Sequence, residues 1–221
     1  MKRVILSVIA ASSIQIAHAQ SVQAPVPVQN EKWSYQTTDQ WTSKVTQTIN
    51  VTVVGVLGNY IRQQNEVHNV TSSGQQAPTQ TLLVTLPSDL NVVSTINGER
   101  IVNRIYDWPL TSGKKWHKQS KVASTMTLPT GLTPAVFTSD TDAEVAGWED
   151  VQTPAGNFKA LKIVYKSKTT VDIMPTFSST STETSWYSPD VHRNVKYTSE
   201  AFGASGEPLT STVQLLVAHS Q

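Results

Sequence analysis

The chain has 221 residues, no cysteine and a formal net charge of +1, from 17 basic and 16 acidic side chains. A balance this close to neutral gives no electrostatic case for nucleic acid or an anionic membrane surface as partner. Without cysteine there can be no disulfide staple, no thiolate zinc site and no lipid-modified cysteine, so a stable fold must come from a packed core.

The chain opens with a targeting pattern. Lys2 and Arg3 precede a mostly apolar run from Val4 to Ile16, and Ala17-His18-Ala19 supplies a small-x-small cleavage site. This predicts a signal peptide over 1–19, cut near Ala19, and an exported periplasmic or secreted protein. Losing Lys2 and Arg3 takes the 17 basic residues to 15 against 16 acidic ones, a net charge of −1. No later stretch stays apolar for the ~18 residues a spanning helix needs, so no stable membrane anchor is expected. Residues 20–31, with Pro25 and Pro27 among small polar residues, read as a flexible leader. The remaining 32–221 read as a single antiparallel β domain.

That domain begins at Lys32-Trp33-Ser34-Tyr35 and settles into period-two patterning. Val45, Ile49, Val51 and Val53 share one face, with Thr46, Thr48, Asn50 and Thr52 on the other, which predicts a half-buried strand. A turn over 55–59 returns the chain through 60–70. A loop over 72–78 precedes a strand over 79–86. The segments 92–96 and 100–106 flank Asn97-Gly98, a type I′ hairpin signal. Trp108-Pro109-Leu110 breaks the pattern, which resumes at Lys115-Trp116 and gives a strand over 121–128. Residues 129–140, with Pro129, Gly131 and Pro134, read as a loop. Next, Gly147 to Tyr165 reads as strand, turn, strand. Pro154 is preset for the first corner of a type I turn, and Gly156 is free to take φ > 0 and close a three-residue hairpin with a bulge. A Ser/Thr-rich stretch over 178–185 leads to Trp186-Tyr187-Ser188-Pro189, followed by strands over 195–201 and 209–218.

Apolar residues nowhere recur with a sustained helical period after residue 19, so helix is minor. Roughly ten short strands separated by turns predict an all-β antiparallel meander. A long twisted sheet with one apolar face covers that face by curling, here into an open or half barrel.

Candidate chemistry is sparse. His68, His117, His192 and His219 have no metal-ligand spacing and read as scattered surface residues. Asp140, Asp142 and Glu144 alternate as one solvated strand face. No Gly-x-Ser-x-Gly elbow and no phosphate-cradling glycine loop is present. The chain therefore offers no catalytic residue, no metal site and no cofactor site. Six tryptophans, Trp33, Trp41, Trp108, Trp116, Trp148 and Trp186, fall near predicted strand ends. They suit either a plug at the ends of the sheet or the rim of an apolar cavity. Arg193 and Lys196 fit an anion or a cross-strand carboxylate.

Three segments together resemble a known family. They are Lys32-Trp33-Ser34-Tyr35, the run Glu149 to Ile163 that contains Pro154-Ala155-Gly156-Asn157-Phe158-Lys159-Ala160-Leu161-Lys162, and Trp186-Tyr187-Ser188-Pro189 with Val195-Lys196-Tyr197. They resemble a domain-of-unknown-function family of exported bacterial proteins, marked by a P-A-G-x-F-x-A-x-K hairpin and a later W-Y-x-P…V-K strand. The resemblance implies an antiparallel sheet curled into an open barrel, similar to periplasmic lipoprotein carriers, and an apolar ligand in its concave face. The family has no assigned activity, so it supplies no catalytic residue. Many relatives have a longer acidic or cysteine-bearing start, which this chain lacks.

The expected function is non-enzymatic binding of a lipid or other apolar or amphiphilic envelope component. The expected lining is Val45, Ile49, Val51, Val53, Leu161 and Ile163, with Trp148 and Trp186 at the rim. The alternatives are an assembly protein with a side-chain-filled interior that binds another envelope protein, and, third, an envelope hydrolase.

Overall fold

The computed structural model describes residues 21–71, 73–96, 99–129 and 131–221. The predicted signal peptide, its cleavage site and the Asn97-Gly98 turn lie outside the described residues. Among the described residues twelve strands are present: β1 (Lys32–Asp39), β2 (Val45–Leu57), β3 (Tyr60–Asn69), β4 (Gln80–Pro87), β5 (Val92–Ile96), β6 (Glu99–Asn103), β7 (Lys115–Leu128), β8 (Gly131–Thr153), β9 (Gly156–Val171), β10 (Met174–Ser188), β11 (Arg193–Phe202) and β12 (Pro208–Ser220). A 3-10 turn, Pro189–Val191, separates β10 from β11.

Ten strands form one antiparallel sheet in the order β4-β3-β2-β1-β12-β11-β10-β9-β8-β7, curled into a half barrel. The hairpins run in sequence, as a meander predicts. The two ends of the chain also meet in mid-sheet, where β1 pairs along its length with β12, from Lys32↔Ser220 to Asp39↔Thr212. The free edges are therefore β4 and β7, which are joined in the chain through the separate β5–β6 hairpin. That hairpin touches β4 on one side and β7 on the other, at the place where the barrel is open.

Alternation dictates which face goes inward. Trp33 and Tyr35 of β1, Val51 and Val53 of β2, Ile61 and Gln63 of β3, and Leu161, Ile163 and Tyr165 of β9 are all buried, while most of their immediate neighbours are more exposed. Leu161 and Ile163 have 0% exposure. Each such side chain contributes about 1.5–3 kcal/mol of transfer free energy when taken from water.

Three local readings change in the structure. Residues 131–140, expected as a loop, are the first part of the 23-residue strand β8. Pro134 is tolerated there because β9 begins to pair with β8 only at Phe137, which leaves one side of the strand without a ladder partner. The central hairpin turns in two residues, Pro154 and Ala155, between paired Thr153 and Gly156; Gly156 does take a positive φ, +135°. A bulge at Val145/Gly147, with Gly147 at φ +142°, bends β8. Beyond it the hairpin tip reaches β12, where the Ala155 amide donates to the Leu216 carbonyl. Finally, residues 21–31, expected as a flexible leader, are packed down. Val22 exchanges two backbone hydrogen bonds with Leu110 and is buried, and Glu31 has no exposed surface. The leader holds an apolar side chain and an acidic one that only the folded domain can partner.

Candidate functional site

The curled sheet encloses a cavity of about 580 Å³ on its inner face. Ile49 and Val51 of β2, Val84 and Leu86 of β4, and Val92 and Val93 of β5 give it apolar walls. The β5–β6 hairpin and the segment after it, including Ile105 and Tyr106, cover it from the open side of the barrel.

Four tyrosines, Tyr35, Tyr106, Tyr165 and Tyr197, also line it. Strand alternation brings them inward from β1, β9 and β11, and the β6–β7 connection supplies Tyr106. Burial pushes the Tyr106 phenol up to about 12 and raises Tyr35, Tyr165 and Tyr197 well above the ordinary tyrosine value. All four stay protonated at neutral pH and act as donors. The Tyr35 hydroxyl donates to the Asn194 carbonyl at 3.1 Å, Tyr106 to Asn194 Oδ1 at 3.0 Å, and Tyr165 to the Ile105 carbonyl at 3.1 Å. The last two bonds fasten the covering segment to the sheet, and the first ties β1 to β11.

Three ionisable side chains of other kinds reach the cavity: Lys118 from β7, Glu183 from β10 and Arg193 from β11. Desolvation lowers the Lys118 pKa, and the nearby Glu183 carboxylate partly restores it. Lys118 Nζ donates to Asn103 Oδ1 at 3.1 Å and lies 5.2 Å from the Tyr165 ring centre. The Arg193 guanidinium stacks 4.4 Å from the Trp33 ring centre and donates to Gln63 Oε1 at 2.6 Å. Its Nε is buried without a partner, as is Oδ1 of Asn65 in the same lining.

Among the residues singled out from sequence, Val51 and Ile49 line this cavity. Val53 is 1% exposed and borders a much smaller hollow with Trp33 and Glu31. Leu161 and Ile163 are packed core, and Trp148 lies against that core half-buried, with its indole N–H unpartnered. Trp186 is buried outside the cavity lining; its N–H donates to Glu149 at 2.6 Å, and Lys162 and Lys196 approach its ring. None of the six tryptophans lines the cavity; Trp41 is exposed in a turn. The aromatic lining is tyrosine, a signal present in the alternation of Tyr35, Tyr165 and Tyr197 but outweighed in the sequence by the tryptophans.

The histidines are less scattered than their spacing implies. His192 and His219 converge on the buried Glu31, at 3.1 and 2.9 Å. Asp140, Asp142 and Glu144 lie on an exposed face of β8, across from Gln119, His117 and Lys115 of β7. Among the described residues no group of three acidic or histidine side chains has metal-binding geometry.

Residues 110–215 match the family model described as DUF3108-like. The match runs from the connection before β7 into β12 and includes the central hairpin. No curated protein matches the chain. Three solved structures are similar. A presumed lipoprotein from Parabacteroides distasonis aligns at TM-score 0.49 and 12% identity, covering 91% of this chain and 100% of its own. A presumed exported protein with YmcC-like fold from Bacteroides fragilis aligns at 0.47 and 12%, covering 91% and 100%. The hypothetical lipoprotein YmcC from Escherichia coli aligns at 0.40 and 11%, covering 88% and 86%.

Proposed function

We propose that this is an exported, non-catalytic binding protein that holds an amphiphilic envelope molecule inside the half barrel. The observation that carries the reading is the composition of the 580 Å³ cavity: aliphatic walls from β2, β4 and β5, with tyrosine hydroxyls, amides and charged groups converging on the same space. Pockets for small ligands have this volume and this mixture, apolar surface for affinity and a few placed polar groups for orientation. The basic head, apolar run and small-x-small site at residues 1–19 support export.

Organic extraction of the purified protein, followed by mass spectrometry, tests the reading. A stoichiometric amphiphile released from the protein is the expected result. A protein that releases nothing, and that leaves an environment-sensitive fluorescent fatty acid unbound, is not a carrier. Replacing Val51 with Phe narrows the cavity from one wall and is expected to weaken capture of that probe severalfold.

A further inference from the structure

The cavity carries more positive than negative charge. Its ionisable lining consists of Lys118, Glu183, Arg193 and tyrosines held neutral by burial. Lys118 and Glu183 sense one another across the space, and Tyr197 hydrogen-bonds Glu183. These two opposite charges offset. Arg193 has no such counterpart. Among the described residues its side chain bonds an uncharged amide, Gln63, and stacks on an uncharged ring, Trp33, with no carboxylate at ion-pairing distance. Glu31 borders the small hollow beside Arg193, but its carboxylate is occupied by His192 and His219.

The rest of the arrangement holds the guanidinium in place. Gln63 fixes one nitrogen at 2.6 Å and the Trp33 indole supports one face, so little side-chain entropy remains to be lost on binding. Trp33 is itself fixed, since its N–H donates to the Val191 carbonyl at 2.7 Å. A guanidinium that is rigid, half-buried and unpaired gains most from an anion, because charge-assisted hydrogen bonds strengthen where water is scarce. Across the β3–β4 pairing, Gln63 faces Val84 and Ile61 faces Leu86, so apolar wall begins directly beside the Arg193 anchor.

We infer that Arg193 is the head-group anchor of the cavity, and that its ligand is a single-chain amphiphile with an anionic head, carboxylate or phosphate. The inference rests on the amphiphile reading above and specifies the sign of the ligand's charge.

The test compares binding of decanoate, decyl phosphate, decanol and decyltrimethylammonium to the purified protein by titration calorimetry at neutral pH, below micelle formation. Acetate and inorganic phosphate serve as tail-less controls. Both anionic amphiphiles are expected to bind about tenfold more tightly than decanol. The cationic one is expected to bind more weakly than decanol, and the tail-less anions not measurably. Arg193→Gln should bring the anion and alcohol affinities together, and Arg193→Lys should keep part of the preference. Gln63→Glu sets an internal carboxylate against the guanidinium and should abolish the preference even where Arg193→Gln folds poorly. Equal binding of anions and decanol to the natural protein overturns the anchor and leaves the amphiphile reading standing. An anion preference that survives both Arg193→Gln and Gln63→Glu also overturns it. Tight binding of acetate or phosphate alone overturns the requirement for a tail, and failure of all four amphiphiles to bind overturns both readings.

Discussion

Nε2 of His219, near the end of the last strand, lies 2.9 Å from a carboxylate oxygen of Glu31, a residue with no exposed surface just before the first strand. His192, from the turn between β10 and β11, reaches the same carboxylate through Nδ1. One buried acid thus joins the leader, the 3-10 turn and the C-terminal strand. A buried carboxylate stripped of its partners, or partners stripped of their acceptor, costs far more than an exposed pair. Glu31→Ala is expected to destabilise the fold by about 3 kcal/mol, lowering Tm by roughly 6–12 °C. Thermal unfolding followed by circular dichroism measures this, and a shift of only a degree or two would show that the clasp is dispensable.

Leu161 and Val51 separate packing from binding. Leu161→Ala empties a fully buried site and should cost about 2–5 kcal/mol in denaturant unfolding. Val51 borders the cavity, so Val51→Ala enlarges space that is already there. Its stability cost should be clearly smaller than that of Leu161→Ala. The reverse order would mean that the cavity is collapsed in solution.

Lys118 provides a titration marker inside the cavity. Burial favours its neutral form, so its folded pKa lies below the unfolded value, and Glu183 opposes the shift. Below the folded pKa the charged amine weighs against folding; as pH rises through that value towards about 10.4 the penalty disappears. In a carbon-detected lysine titration Lys118 should therefore deprotonate below the ordinary lysine value, and Glu183→Gln should make it deprotonate earlier still. A Lys118 that titrates at the ordinary lysine value would place it in water.

Glu149 behaves in the opposite sense. The Trp186 indole N–H, and then Lys162, hold its carboxyl below the ordinary glutamate value. Its contribution to stability is present above the unfolded value of about 4.3 and is lost as pH falls through the lowered folded one. Because the Glu149 side chain is 43% exposed, the effect is small. Trp186→Phe removes the indole donor and should move the Glu149 titration back up, as read by carboxyl carbon shifts. An unchanged titration would mean that the indole bond does not set it and that Lys162 and Lys196 do.

Gly156 tests the central turn. Its φ of +135° disfavours any side chain, although a Cβ there would meet nothing closer than the Phe158 ring at 3.9 Å. Gly156→Ala should therefore cost about 1–3 kcal/mol through backbone strain alone. No loss in Tm would show that the turn relaxes to another φ.

Much of the architecture was legible in the chain itself. Period-two alternation at Val45 to Val53 and at Leu161 to Tyr165 fixes which side chains face inward, and glycine and proline mark the turns, because both effects are local. The 23-residue length of β8 was hidden, since Pro134 and Gly131 carry loop signals that the neighbouring β7 overrides by pairing. What the fold alone decided is long-range: β1 beside β12, Glu31 between His192 and His219, and Arg193 seated on Trp33 160 positions away. A strand's alternation says which residues point inward but not what they meet there. Partners so distant in the chain are chosen by the curl of the whole sheet, and the charge inside the cavity is set by those choices.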